Sequence, residues 1–120
     1  DYGLIHADVL RENVLVNGDA VTLIDFDDAG WGFRLYDLGV LMTQNEDEPN
    51  AAALRDAALA GYRSARPLSG EDARLLPLFT LLRRLASMGW IVPRSSPGDP
   101  RQQAYARLAV RAAHAFLASV

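Results

Sequence analysis

Two β-type runs, Val14-Leu15-Val16 and Val21-Thr22-Leu23-Ile24, flank the triplet Asn17-Gly18-Asp19. Branched aliphatic residues suit a half-buried extended backbone, and an Asn-Gly pair supplies the positive φ angles of a tight strand-to-strand turn. The pattern predicts a β-hairpin. A hairpin also constrains its flanks: Asn13 and Asp25 stand twelve residues apart in sequence, yet the fold-back brings both to its open end.

The residues around that open end carry the chemistry. The stretch before the hairpin reads His6-Ala7-Asp8-Val9-Leu10-Arg11-Glu12-Asn13, and the one after it Asp25-Phe26-Asp27. This is the H-x-D-x-x-x-x-N then D-F-x layout of kinase-type phosphoryl transfer. Such a reaction needs a clamp on the phosphates and an acceptor hydroxyl held in line. Asp8 is the candidate base for the hydroxyl proton. Asn13 offers a neutral amide oxygen and Asp25 an anionic one, both suited to a hard cation such as Mg²⁺. Taken singly, each has an ordinary reading: Asp8 as a helix cap, Asn13 as a turn residue, Asp25 as a strand end. Spacing, hairpin and second acid agree only in the site reading. His6 is expected to order the loop by hydrogen bonding rather than to move protons.

These motifs, Gly3-Leu4-Ile5-His6-Ala7-Asp8 through Val16, Leu23-Ile24-Asp25-Phe26-Asp27-Asp28 through Gly32, and Leu35-Tyr36-Asp37-Leu38-Gly39, resemble the aminoglycoside phosphotransferase-like family. That family includes choline, homoserine and stress-response kinases and shares the protein-kinase-like fold, whose C-terminal lobe these motifs resemble. Its first motif usually reads H-G-D-L-H-P-G-N-V-L; here Ala7 and Val9-Leu10-Arg11-Glu12 replace the intervening residues, while His6, Asp8 and Asn13 stay. The resemblance covers residues 1 to about 42. It implies Asp8 as catalytic base, Asn13 and Asp25 as metal ligands, and Mg²⁺ with ATP as co-substrate. Asp27 and Asp28 are each either a contact to a second metal or the substrate, or a solvated turn acid, with the solvated reading favoured for Asp28. Asp37 is expected to brace the catalytic loop through backbone amides. The acceptor implied is the hydroxyl of an aminoglycoside, an amino alcohol or a sugar.

The 120 residues suit one small domain, and half of them are hydrophobic, enough for a core. A formal charge of −3 gives no basic signature for nucleic acid. There is no cysteine, hence no disulfide framework or thiolate site. No run of eighteen apolar residues occurs, and the first residues lack the basic segment of a signal peptide; a cytoplasmic protein without nucleic-acid or membrane partners is the expectation. All twelve cations are arginines. A complete kinase-like enzyme places a lysine on the phosphates under a Gly-rich loop, and neither precedes His6. Residues 1–120 are therefore expected to be the C-terminal catalytic lobe of a longer phosphotransferase, inactive alone and prone to self-association. The competing reading is a non-catalytic helical interaction module built on a kinase lobe.

Beyond the hairpin the expected class is α+β and mostly helical. Ala29 to Gly32 reads as a Gly-flanked turn, with Trp31 either at the substrate cleft or half-buried in packing. Helices are expected over Phe33–Thr43, Ala51–Ala65, Ser69 to about Trp90, and from Pro100 behind an Asp99 cap. The third is apolar round most of its circumference and is expected to be central and buried, with Pro77 as a kink or restart. Asn45 to Pro49 reads as an acidic loop, solvated or attractive to an amine.

Overall fold

The fold, described for residues 1–119 by a computed structural model, begins with strand β1, Tyr2–Ile5. A short 3-10 turn at Arg11–Asn13 leads into the expected hairpin, β2 (Val14–Asn17) and β3 (Ala20–Leu23). Its register pairs Val14 with Leu23 and Asn17 with Ala20, and Gly18 turns the chain at φ 59°. The predicted turn around Trp31 is instead a strand, β4 (Gly30–Phe33), antiparallel to β1, with Leu4 opposite Trp31. Main-chain partners in β1, between Tyr2 and Ile5, supply what the local glycine content did not signal. Trp31 is 74% exposed, neither half-buried nor on the cleft described below.

Helix α1 covers Leu35–Thr43; Phe33, expected inside it, belongs to β4. Helix α2 spans Ala51–Ala65, as its periodicity indicates. The long third helix divides into α3 (Gly70–Arg74) and α4 (Leu76–Ile91). The Ser69 hydroxyl caps α3 by accepting from the Asp72 N–H at 2.9 Å. Pro77 sits in the first turn of α4, where its missing N–H costs no helical bond; Pro77 thus marks a restart rather than a kink. Helix α5 (Pro100–Leu117) follows the Asp99 cap, whose carboxylate accepts from the Arg101 N–H at 2.8 Å.

Helix α4 packs between α1 and α5. The core gathers Leu35, Leu38, Met42, Leu76 and Phe79, with Leu59 and Tyr62 of α2 against it. Central position does not mean burial all round: Leu82, Leu85 and Trp90 are 42–54% exposed. One face of α4 is open, a correction to the fully buried helix its composition suggests. The acidic loop after α1 is not simply solvated. Glu46 pairs with Arg84 of α4 at 2.9 Å, Asp47 with Arg111 of α5 at 2.8 Å, and Glu48 with Arg11 at 2.6 Å. Its three carboxylates hold guanidinium groups from three parts of the chain. Among the described residues no helix is long and apolar enough to cross a membrane.

The approach of α1 to α4 rests on one glycine. A Cβ on Gly39 would lie 2.6 Å from the backbone carbon of Phe79, closer than packed atoms come. Gly39→Ala should therefore push the helices apart and destabilise the protein by roughly 1–3 kcal/mol in chemical denaturation. Gly61→Ala, on α2 with nothing within 4 Å, should be neutral or stabilise by up to about 1 kcal/mol. Equal effects from the two changes would remove Gly39 from the crossing.

Candidate active site

The loop between β1 and the hairpin is held by α1, across thirty residues of sequence. Asp37, in the first turn of α1, accepts the His6 N–H on Oδ2 at 2.9 Å and the Ala7 N–H on Oδ1 at 2.8 Å. Between those two bonds Ala7 adopts φ 66°, a left-handed conformation that costs a residue with a Cβ about 1–2 kcal/mol. The glycine usual at this place in related motifs would adopt it freely.

His6 is buried, its ring 4.5 Å from that of Phe26. Its Nε2 lies 2.9 Å from the Ile24 carbonyl and its Nδ1 3.3 Å from the Asp8 nitrogen. The Asp8 N–H donates to Nδ1, so the ring proton sits on Nε2 and is directed at Ile24. His6 thereby joins the loop before the hairpin to the segment after it, and no nitrogen is left for proton transfer.

Asp8 is 21% exposed and engaged on both oxygens. Asn13 Nδ2 donates to Oδ2 at 3.0 Å and to the Asp8 carbonyl at 2.9 Å. On the other side the Arg83 guanidinium, from the middle of α4, donates to Oδ1 at 2.5 Å and to the Ala7 carbonyl at 3.3 Å. With Nδ2 directed at Asp8, Asn13 keeps its amide oxygen free of protein donors among the described residues. The Ile24 N–H donates to the Asn13 carbonyl at 3.0 Å and closes the hairpin one residue before Asp25. Asp25 is exposed at φ 61°, and its carboxylate accepts no hydrogen bond among the described residues. No group of three His, Cys, Asp or Glu side chains there has metal-binding geometry.

Asp8 opens on a cleft of about 680 Å³ between this loop, α4 and α5. Glu12, Asp28, Arg83, Trp90 and Tyr105 line it. Of the two turn acids, Asp28 reaches the cleft and Asp27 does not; both are exposed. Sequence reasoning named Asp8, Asn13, His6 and Asp37, which the fold brings into hydrogen-bonding range of one another. It missed Arg83, Trp90 and Tyr105. The available signal was the pair Arg83-Arg84 inside an otherwise apolar run. Arg84 is buried against the Thr43 carbonyl and Glu46, and Arg83 turns to the cleft.

A model of the phosphotransferase enzyme family matches residues 1–72, more than half of the chain. The chain belongs to the phosphotransferase enzyme family. It is 34% identical over 113 residues to a homoserine kinase of Methylobacterium radiotolerans, covering 83% of this chain and 35% of that protein. It is 38% identical over 79 residues to a homoserine kinase of Neisseria meningitidis serogroup B, covering 62% of this chain and 26% of that one. A solved structure, the microcompartment-associated aminopropanol kinase, superposes with a TM-score of 0.71 at 35% identity over 93% of this chain and 34% of its own. The chain thus spans between about a quarter and a third of the length of these members of the family. The match to the aminopropanol kinase agrees with a mostly helical α+β lobe of kinase type.

The loop geometry sets two opposed expectations. Asp37→Ala leaves two backbone N–H groups without their charged acceptor and should cost about 2 kcal/mol or more. Ala7→Gly relieves the left-handed residue and should be neutral or stabilising by up to about 1 kcal/mol. Denaturation reads both, and amide exchange at His6 and Ala7 should quicken in the first variant. Unchanged exchange there would show that Asp37 does not hold the loop.

Proposed function

We propose that this chain supplies the C-terminal catalytic lobe of an ATP-dependent phosphotransferase that phosphorylates a hydroxyl of a small, amine-bearing molecule. The observation that carries this reading is Asp8: a carboxylate fixed by Asn13 and Arg83 at the mouth of a cleft large enough for a small acceptor. The similarity to homoserine and aminopropanol kinases agrees with an acceptor that carries an amine and a terminal hydroxyl. Glu12 and Asp28 on the cleft wall suit the ammonium group.

In this reading the acceptor oxygen forms a bond to the γ-phosphorus of ATP, and the bond from that phosphorus to the β–γ bridging oxygen breaks. The hydroxyl proton passes to the Asp8 carboxylate and on to water, and the products are ADP and a phosphate ester. Asn13, through its free amide oxygen, and Asp25, through its unpartnered carboxylate, would hold Mg²⁺. The sparse donor set fits that ion, which keeps several waters and binds through one or two carboxylates together with substrate phosphates. When bound it would offset the negative charge of the phosphates. His6 and Asp37 act at one remove, by keeping Asp8 in place.

The remaining lobe would lie in the rest of a longer protein. The exposed apolar surface supports this: Leu4, Val16, Val21, Phe26 and Phe33 are 57–68% exposed on the two ladders and the segment between them. Large apolar side chains exposed in such number are often covered by a partner or a further part of the chain. The isolated 120 residues should therefore self-associate and fail to turn over. Light scattering across a dilution series checks the first point, and a strictly monomeric chain with micromolar affinity for Mg·ATP would overturn the division into lobes.

In the full-length protein Asp8→Asn should lower kcat by about 10²–10⁴-fold with nucleotide binding nearly intact. Asp25→Ala should instead abolish Mg²⁺-dependent nucleotide binding, measured by calorimetry. Small and equal effects of both changes would favour the non-catalytic interaction module.

A further inference from the structure

The ion pair between Arg83 and Asp8 has a consequence for the acceptor. Both oxygens of Asp8 are engaged, Oδ1 by the Arg83 guanidinium at 2.5 Å and Oδ2 by Asn13 Nδ2 at 3.0 Å. An acceptor hydroxyl that bonds to Asp8 Oδ1 must share that oxygen with the guanidinium or displace it. Among the described residues Arg83 is the one cation lining a cleft that Asp8, Glu12 and Asp28 also line. It comes from the middle of α4, and its side chain is 18% exposed. Two of its nitrogens make the contacts to Asp8 and Ala7. A guanidinium carries five N–H donors in a planar fork, so capacity for a second carboxylate remains.

The anions opposite are also accounted for. Gln44 Nε2 donates to Glu12 Oε2 at 3.0 Å. That amide first, then Glu12's own backbone, and less strongly the charge of Arg83, hold the Glu12 carboxyl below its usual range. Glu12 thus stays ionised in a cleft that Trp90 and Tyr105 also line. The cleft presents one cation and several anions within the reach of a single small molecule, a pattern complementary to a zwitterion rather than to a simple amine.

We infer that Arg83 is a specificity-determining residue that binds a carboxylate on the acceptor, so that the preferred substrate is a hydroxy amino acid and not the corresponding amino alcohol. The inference rests on the phosphotransferase reading above and narrows its acceptor class. A carboxylate arriving at Arg83 takes up its free donors and can draw the fork from Asp8 Oδ1, which frees that oxygen for the hydroxyl. Fork-to-carboxylate pairing is geometrically demanding, and neither lysine nor an apolar side chain reproduces it.

Homoserine and 3-aminopropan-1-ol test this directly, because they differ only by the carboxylate. Calorimetry on the full-length protein saturated with Mg·ADP should give tighter binding of homoserine. Arg83→Met should weaken homoserine by about 10- to 100-fold and 3-aminopropan-1-ol distinctly less, since Asp8 loses the same partner in both cases and only homoserine also loses the fork for its carboxylate. Arg83→Lys keeps the charge without the fork and should fall between, which preserves the test if the methionine variant folds poorly. Equal affinities of the two compounds for the unmodified protein, no binding of homoserine, or equal losses for both compounds in the variants, would overturn the inference. Phosphate transfer measured in parallel, with Asp8→Asn as the control, separates it from the broader reading. Transfer to both compounds that ignores Arg83 would leave the phosphotransferase and remove the carboxylate subsite. Arg83-dependent homoserine binding without transfer to either compound would do the reverse.

Discussion

The grip of the Asp37 carboxylate on two consecutive backbone amides, those of His6 and Ala7, is the contact on which the site depends. Those amides lie in a loop, where no helix or strand ladder would satisfy them, and Ala7 is in a left-handed conformation. A charged acceptor in the first turn of α1 offsets that strain, since hydrogen bonds to an ionised group are stronger than those between neutral partners. The following residue, Asp8, is thereby aimed at the cleft. Because Asp37 belongs to α1, the position of the loop is inherited from the helix, and that of the helix from its packing.

Packing closes the circuit. Gly39, two residues beyond Asp37, lets the backbone of α1 approach α4 at Phe79. One helical turn past Phe79, Arg83 reaches Asp8 and the Ala7 carbonyl, while Arg84 ties the end of α1 through Thr43 and Glu46. One pair of helices thus fixes the loop from two sides. Charge and core are not separate layers here: the same crossing that buries Leu38 and Phe79 also delivers the guanidinium to the candidate base.

Much of this was legible from local patterns. The Asn-Gly turn between aliphatic runs forces a hairpin, the helix caps at Ser69 and Asp99 act within three residues of themselves, and the α2 periodicity needs no distant partner. Such features depend on neighbours in sequence, so a linear reading reaches them. The β4 strand was missed because its hydrogen bonds come from β1 and its own residues resemble a turn. The exposure of α4 was misjudged because composition records how apolar a helix is and not which neighbours are present to cover it.

By itself the sequence determined the chemistry available and its approximate place: an aspartate and an asparagine five residues apart, a second acid beyond a hairpin, and a mostly helical remainder. Those follow from residue types and short spacings, where backbone geometry leaves few choices. Only the tertiary structure decided that Asp8 faces an arginine 75 positions away, that the acidic loop is tied down by Arg84, Arg111 and Arg11, and that Asp28 rather than Asp27 borders the cleft. The physical reason is that a charge finds its partner through space. Of twelve arginines with the same side chain, the one that meets the candidate base is chosen by the angle and spacing at which α4 crosses α1.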